Sequence, residues 1–162
     1  GTALSAGASL ASMVYALGDV SGAHFNPAVT VALTLSRRCP DLAPATALMY
    51  VITQLLGGAF AAYLSTVASG DLDFRLPLNA DPRDHAYTKI LFGEGAFTFT
   101  LCYVVLCVVV SEATKSPTMF GLAIGSVVAA GGTVLGAETG GCLNPAVSAG
   151  IVMASVHREE EW

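Results

Sequence analysis

No Asp, Glu, Lys or Arg stands between Asp41 and Asp71, and none between Lys115 and Glu138. Each run exceeds the ~20 apolar residues that cross a ~30 Å hydrocarbon core. A soluble helix of that length carries a polar face at helical spacing, and these runs carry none. Charged residues make up only 12% of the chain, against roughly 25% in soluble domains. The sequence therefore reads as an all-α membrane protein. Its formal charge of −5 argues against a nucleic-acid partner, because phosphate binding needs a basic face.

Four spanning segments and two shorter apolar ones are expected. The spans are about Gly1–Leu17, Ala43–Ala68, Thr88–Val110 and Thr118–Gly136. The short segments run from Asn26 to about Leu35 and from Asn144 to about Ser155. Between the second and third spans, Ser69–Tyr87 carries Asp71, Asp73, Asp81 and Asp84 with Pro77 and Pro82, and reads as a loop. A charged end follows the last segment, His157–Trp162. Gly1–Leu17 has no initiator Met and no basic leader, so it does not read as a signal peptide; it reads as the inside or near-start of a helix. Arg37, Arg38 and Lys115 lie in short connections on one side, which the positive-inside rule assigns to the cytosol. The acidic loop then faces the other way, although Arg75 and Arg83 dilute the signal. Cys39, Cys102, Cys107 and Cys142 form no pair of metal-site spacing, and no metal or cofactor is expected.

An internal repeat carries the functional information. Ser21-Gly22-Ala23-His24-Phe25-Asn26-Pro27-Ala28-Val29-Thr30 matches Thr139-Gly140-Gly141-Cys142-Leu143-Asn144-Pro145-Ala146-Val147-Ser148. Gly and the whole Asn-Pro-Ala-Val run are identical, and Ser pairs with Thr at both ends. Three full spans separate the copies, an odd number, so the second copy enters from the opposite face. That is an inverted repeat with half-helix ends at the membrane midplane. Asn is a preferred N-cap and Pro is favoured at the first helical position, so each copy starts a helix. The apolar segments that follow are too short to cross, and are expected to re-enter and line a cavity. Two facing N-termini bring about half a positive charge each to one place. The Asn26 and Asn144 amides can donate hydrogen bonds there, reorienting a file of water and opposing cations and protons.

With these residues the chain resembles the aquaporin (major intrinsic protein) family. The likeness extends to Ser-Gly-x-His before Asn26, to Gln54-Leu55-Leu56-Gly57-Gly58, to Glu94-x-x-x-Thr98 and to Gly121-Leu122-Ala123-Ile124-Gly125. It implies a right-handed helical bundle with two re-entrant Asn-Pro-Ala half-helices, residues 1–162 forming one transmembrane domain. The spans then correspond to helices two to five of a six-helix order, with helices one and six missing from this chain. The resemblance also implies a homotetramer in a lipid bilayer, passing water and small neutral solutes, in a plasma or a vacuolar or other internal membrane. The other reading is a non-conducting membrane scaffold or a truncated remnant of a channel.

The family's outer constriction maps, by counting from Asn26 and Asn144, onto Ala6, Gly132, Gly141 and Val147. Most members carry arginine where this chain has Val147. Arginine would narrow the mouth, offer fixed donors and repel cations; Val147 with Ala6 and two glycines implies a wide, apolar mouth. Valine there resembles some plant vacuolar members, and Ser148 stands where glycerol facilitators usually carry Asp. Solutes such as glycerol, urea, ammonia or hydrogen peroxide are then expected beside water. Glu94, a carboxylate in an apolar span, needs a partner, and the resemblance suggests a re-entrant loop backbone. His24 reads as a loop anchor or as a protonation gate. Cys142 is a candidate for mercurial block, and Gly57, Gly58, Gly121 and Gly125 for close helix packing. No nucleophile–base pair is present, so an enzyme is not expected, and no acidic ring marks an ion channel.

Overall fold

The structure, a computed structural model, describes residues 1–70 and 86–156. The acidic part of the expected loop and the charged end lie outside the described residues. Six α-helices occur among those described: α1 (Thr2–Ser21), α2 (Pro27–Ser36), α3 (Pro44–Ser69), α4 (Ala86–Val105), α5 (Phe120–Leu135) and α6 (Pro145–Val156). A π turn, Leu106–Val110, continues α4.

Local chemistry sets most of these boundaries. Asn26 caps α2, with Pro27 in the first turn. Pro44 opens α3, where its missing N–H costs nothing. Gly22 ends α1 in the left-handed conformation (φ 72°), its N–H returning to the Gly18 carbonyl. The first span is accordingly longer than the sequence suggested, because Gly18 alone does not break a helix that Gly22 can cap.

The fourth expected span differs more. The α5 helix has 16 residues, about 24 Å at 1.5 Å per residue, short of the ~30 Å apolar core. Helical hydrogen bonding continues beyond both ends, from the Ser116 carbonyl to the Phe120 N–H and from the Gly136 carbonyl to the Gly140 N–H. The glycines and the serine–proline pair at the ends convert the outer turns into looser ones. Among the described residues, three helices are long and apolar enough to cross a membrane: α1, α3 and the α4–π element.

Helix packing rests on small residues. A Cβ built on Gly7 would overlap the Gly125 carbonyl oxygen, and one on Gly125 would overlap that of Gly7, so α1 and α5 touch backbone to backbone. The same relationship joins α3 to α6, where Gly58 abuts the Ala146 carbonyl and Gly150 abuts that of Gly58. Such stripes let helices approach closely where lipid leaves no hydrophobic drive for association. Among the described residues nothing lies within 4 Å of a Cβ built on Gly57, which lines the central cavity. Leu33 and Leu143, each 1% exposed, anchor the core between the two half-helices and α4. Only 11% of the most apolar window of each long helix is buried within the chain, leaving the remaining apolar surface for lipid and neighbouring protein.

Candidate functional site

The two Asn-Pro-Ala boxes meet beside the middle of α3. Each Asn caps its own half-helix: Asn26 Oδ1 accepts the Ala28 N–H at 2.9 Å, and Asn144 Oδ1 accepts that of Ala146 at 3.0 Å. Each then reaches across to the other loop. Asn26 Nδ2 donates to the Leu143 carbonyl at 2.7 Å, and Asn144 Nδ2 donates to the Phe25 carbonyl at 2.8 Å. An amide nitrogen carries two protons, so one from each Asn remains for another acceptor. The positive ends of the α2 and α6 dipoles converge on the same place.

The loops before the boxes repeat one another in detail. Ser21 Oγ accepts the Ala23 N–H at 3.3 Å, and Thr139 Oγ1 accepts the Gly141 N–H at 3.1 Å. Left-handed pairs follow both, Gly22–Ala23 and Gly140–Gly141. The supports differ in charge. Glu94 of α4 holds the second loop, accepting the Thr139 hydroxyl, the Cys142 N–H at 3.2 Å and the Leu143 N–H at 2.9 Å. On the first loop, Gln54 Nε2 donates to the His24 carbonyl and, at 2.8 Å, to Thr30 Oγ1. Tyr50 adds a hydroxyl bond to the Ser21 carbonyl at 2.6 Å. A carboxylate with three donors and an amide with two acceptors thus fix the two loops.

A cavity of about 1910 Å³ runs past the boxes, well above the 300–1,000 Å³ of ordinary ligand pockets. Asn26 and Asn144 line it, as do Ala6, Gly132, Gly141, Val147, Cys142 and His24. Gly132 and Gly141 are in contact, a Cβ on Gly141 falling 2.7 Å from the Gly132 Cα. The α1 side chain nearest Gly132 is Ala3, one turn before Ala6. Val147 is 40% exposed. Pro27 is buried and Ala28 half-buried behind the first box, while Pro145 is exposed and Ala146 buried against α3. Glu94 stands apart, behind the second loop in a separate cavity of about 230 Å³ with Thr98, Thr139 and Ser148. The His24 ring leans on Tyr50, centroids 5.1 Å apart; among the described residues its buried Nδ1 has no partner, and neither has the buried Gln54 Oε1.

The family model described as Major intrinsic protein matches residues 1–162. The chain belongs to the major intrinsic protein family. Among curated proteins, Aquaporin AqpM of Methanothermobacter thermautotrophicus is 36% identical over 149 residues, covering 88% of this chain and 58% of that protein. Nodulin-26 of Glycine max is 37% identical, covering 99% and 56%, and Aquaporin FA-CHIP of Pelophylax lessonae is 37% identical, covering 98% and 58%. The chain thus spans somewhat over half the length of these relatives. Membership in the major intrinsic protein family accords with a multi-pass membrane protein built on an inverted pair of half-helices.

Sequence reasoning gave no separate role to Tyr50, Gln54 or Thr139. Signals existed for two of them. Gln54 is a polar side chain inside an apolar run, which demands a partner, and Thr139 is the hydroxyl that pairs with Ser21 in the repeat. Nothing in the sequence pointed to Tyr50.

Proposed function

We propose that this chain forms the central part of a passive pore for water and small neutral solutes, among them glycerol, urea, ammonia and hydrogen peroxide. The observation that carries the proposal is the reciprocal pair of bonds, Asn26 to the Leu143 carbonyl and Asn144 to the Phe25 carbonyl, on the wall of the large cavity. A molecule in single file meets the free amide proton of each Asn and two positive helix ends. Both favour its oxygen, so a water turns as it passes and loses its aligned chain of donors. Cations face the same positive potential and lose their hydration without carboxylates to replace it.

Ala6, Gly132, Gly141 and Val147 form the outer mouth in this reading. They leave a passage without side-chain donors, wide enough for solutes larger than water. Glu94 keeps the second loop rigid, and His24 anchors the first through its carbonyl and its contact with Tyr50. The working form in this reading is a homotetramer in a lipid bilayer, each chain with its own pore.

Stopped-flow uptake into vesicles holding the intact protein tests the proposal. Water flux above that of protein-free vesicles, with glycerol and urea entry, is the expected result. Water flux without solute entry would remove the wide-mouth assignment, and no flux at all would leave a scaffold as the function.

A further inference from the structure

Two stripes of residues on adjoining helices line the cavity side by side. From α1 come Ala6, Leu10, Val14 and Gly18, and from α5 come Phe120, Ile124, Val128 and Gly132. Each set repeats every four residues and so lies along one helix face. The helices run antiparallel: Gly132 adjoins Ala3, Gly125 adjoins Gly7, and Phe120 adjoins Gly18. Along α5 the side chains therefore grow, from nothing at Gly132 to a phenyl ring at Phe120. The large end is the one beside Lys115 and Pro117, opposite the mouth formed by Ala6 and Gly132.

The Phe120 ring is held from two sides. It fills the notch left by Gly18, where an added Cβ would lie 3.2 Å from its Cζ atom. Tyr15 meets it edge-on, with centroids 5.1 Å apart and planes at 74°. The Tyr15 hydroxyl donates to the Thr118 carbonyl at 2.9 Å and accepts the Leu122 N–H at 3.2 Å, bridging the backbone on both sides of Phe120. No side chain of α5's own caps its first turn, so a tyrosine from α1 takes that place. Tyr50 and His24 also line the cavity. Among the described residues, no aromatic side chain lines the mouth formed by Ala6, Gly132, Gly141 and Val147.

The geometry points to Phe120 as the residue that sets the size limit for neutral solutes, at the end of the pore opposite the Val147 mouth, with Tyr15 as its positioning residue. The inference rests on the pore function proposed above. Solutes of glycerol or urea size pass the ring; longer polyols are stopped there after entering through the wide mouth.

Proteoliposomes holding the intact channel give the test, with water, urea, glycerol and the four-carbon polyol erythritol as probes. Phe120→Ala is expected to raise the erythritol-to-water flux ratio about ten-fold, the scale of discrimination that a few methylene-sized groups provide in an apolar site. Phe120→Leu, a milder change that keeps an apolar residue in place, is expected to raise the ratio less, and it decides the matter if the alanine variant does not fold. Gly18→Ala, which presses on the ring, is expected to lower glycerol entry. Tyr15→Phe keeps the ring but frees the backbone, and is expected to raise the erythritol ratio. A ratio unchanged in the Phe120 variants, with water flux at the parental level, overturns the inference. If the parent protein itself passes no water, the pore function fails first and this inference falls with it.

Discussion

Asn26 Nδ2 donates to the carbonyl oxygen of Leu143, 117 positions along the chain, at 2.7 Å. Asn26 is 6% exposed and Leu143 1%, so this bond is shielded from solvent and from lipid. It ties the cap of one half-helix to the loop that precedes the other, and the Asn144–Phe25 bond repeats the tie in reverse.

Asn26→Asp separates the two duties of this residue. The remaining Oδ1 still caps Ala28, but a carboxylate oxygen now faces the Leu143 carbonyl. A buried acceptor left without its donor costs about 1–3 kcal/mol. The variant is expected to unfold at lower temperature in detergent and to lose most water flux in vesicles. Parental values for both measurements would mean that the bridge neither braces the loops nor shapes the pore.

Glu94→Gln keeps the shape and removes the charge. One of the two backbone N–H groups from Cys142 and Leu143 then meets an amide nitrogen rather than an oxygen. Hydrogen bonds to charged groups contribute about 1.5–3 kcal/mol each, so a clear fall in the unfolding midpoint is expected. Amide hydrogen exchange at Cys142 and Leu143 should quicken while that at Ala28 stays slow. Equal protection in variant and parent would show that the carboxylate does not hold the loop.

Val147→Arg tests the mouth. Arg would extend into the cavity that Val147 lines, adding bulk, donors and a positive charge. Glycerol and urea entry is expected to fall about ten-fold, with water flux largely retained. Unchanged solute entry would place this position outside the conducting path.

Position in the fold separates two cysteines. Cys142 lines the cavity, whereas Cys39 sits in the connection between α2 and α3. Burial, with Asp41 beside it, pushes the Cys39 thiol above its ordinary range. At neutral pH it therefore holds its proton more firmly, and reagents that need thiolate find less of it. Mercurial inhibition of water flux is expected to persist in Cys39→Ser and to disappear in Cys142→Ser. Inhibition that survives Cys142→Ser would refute its place in the pore.

The inverted pair was legible because it depends on local rules and on counting. Asn-Pro starts a helix wherever it occurs, a short apolar segment cannot cross a bilayer, and the odd number of spans expected between the copies reverses the direction of entry. Glu94 was legible in the same way, since a carboxylate in an apolar run must find donors. The end of α5 was less so, because its glycines allow either a continued helix or a turn, and packing against the second loop selects the turn.

By itself, then, the sequence determined the membrane class, the positions of the half-helices and the residues that start them. Tertiary structure alone decided what those residues touch. That each Asn bonds to the carbonyl before the other Asn, that Gly57 faces the cavity while Gly58 packs on Ala146, and that Tyr15 caps a helix 107 positions away all depend on how helices cross. Crossing is set by the summed contact of many small side chains and by bonds between distant backbones, and no single stretch of sequence contains that sum.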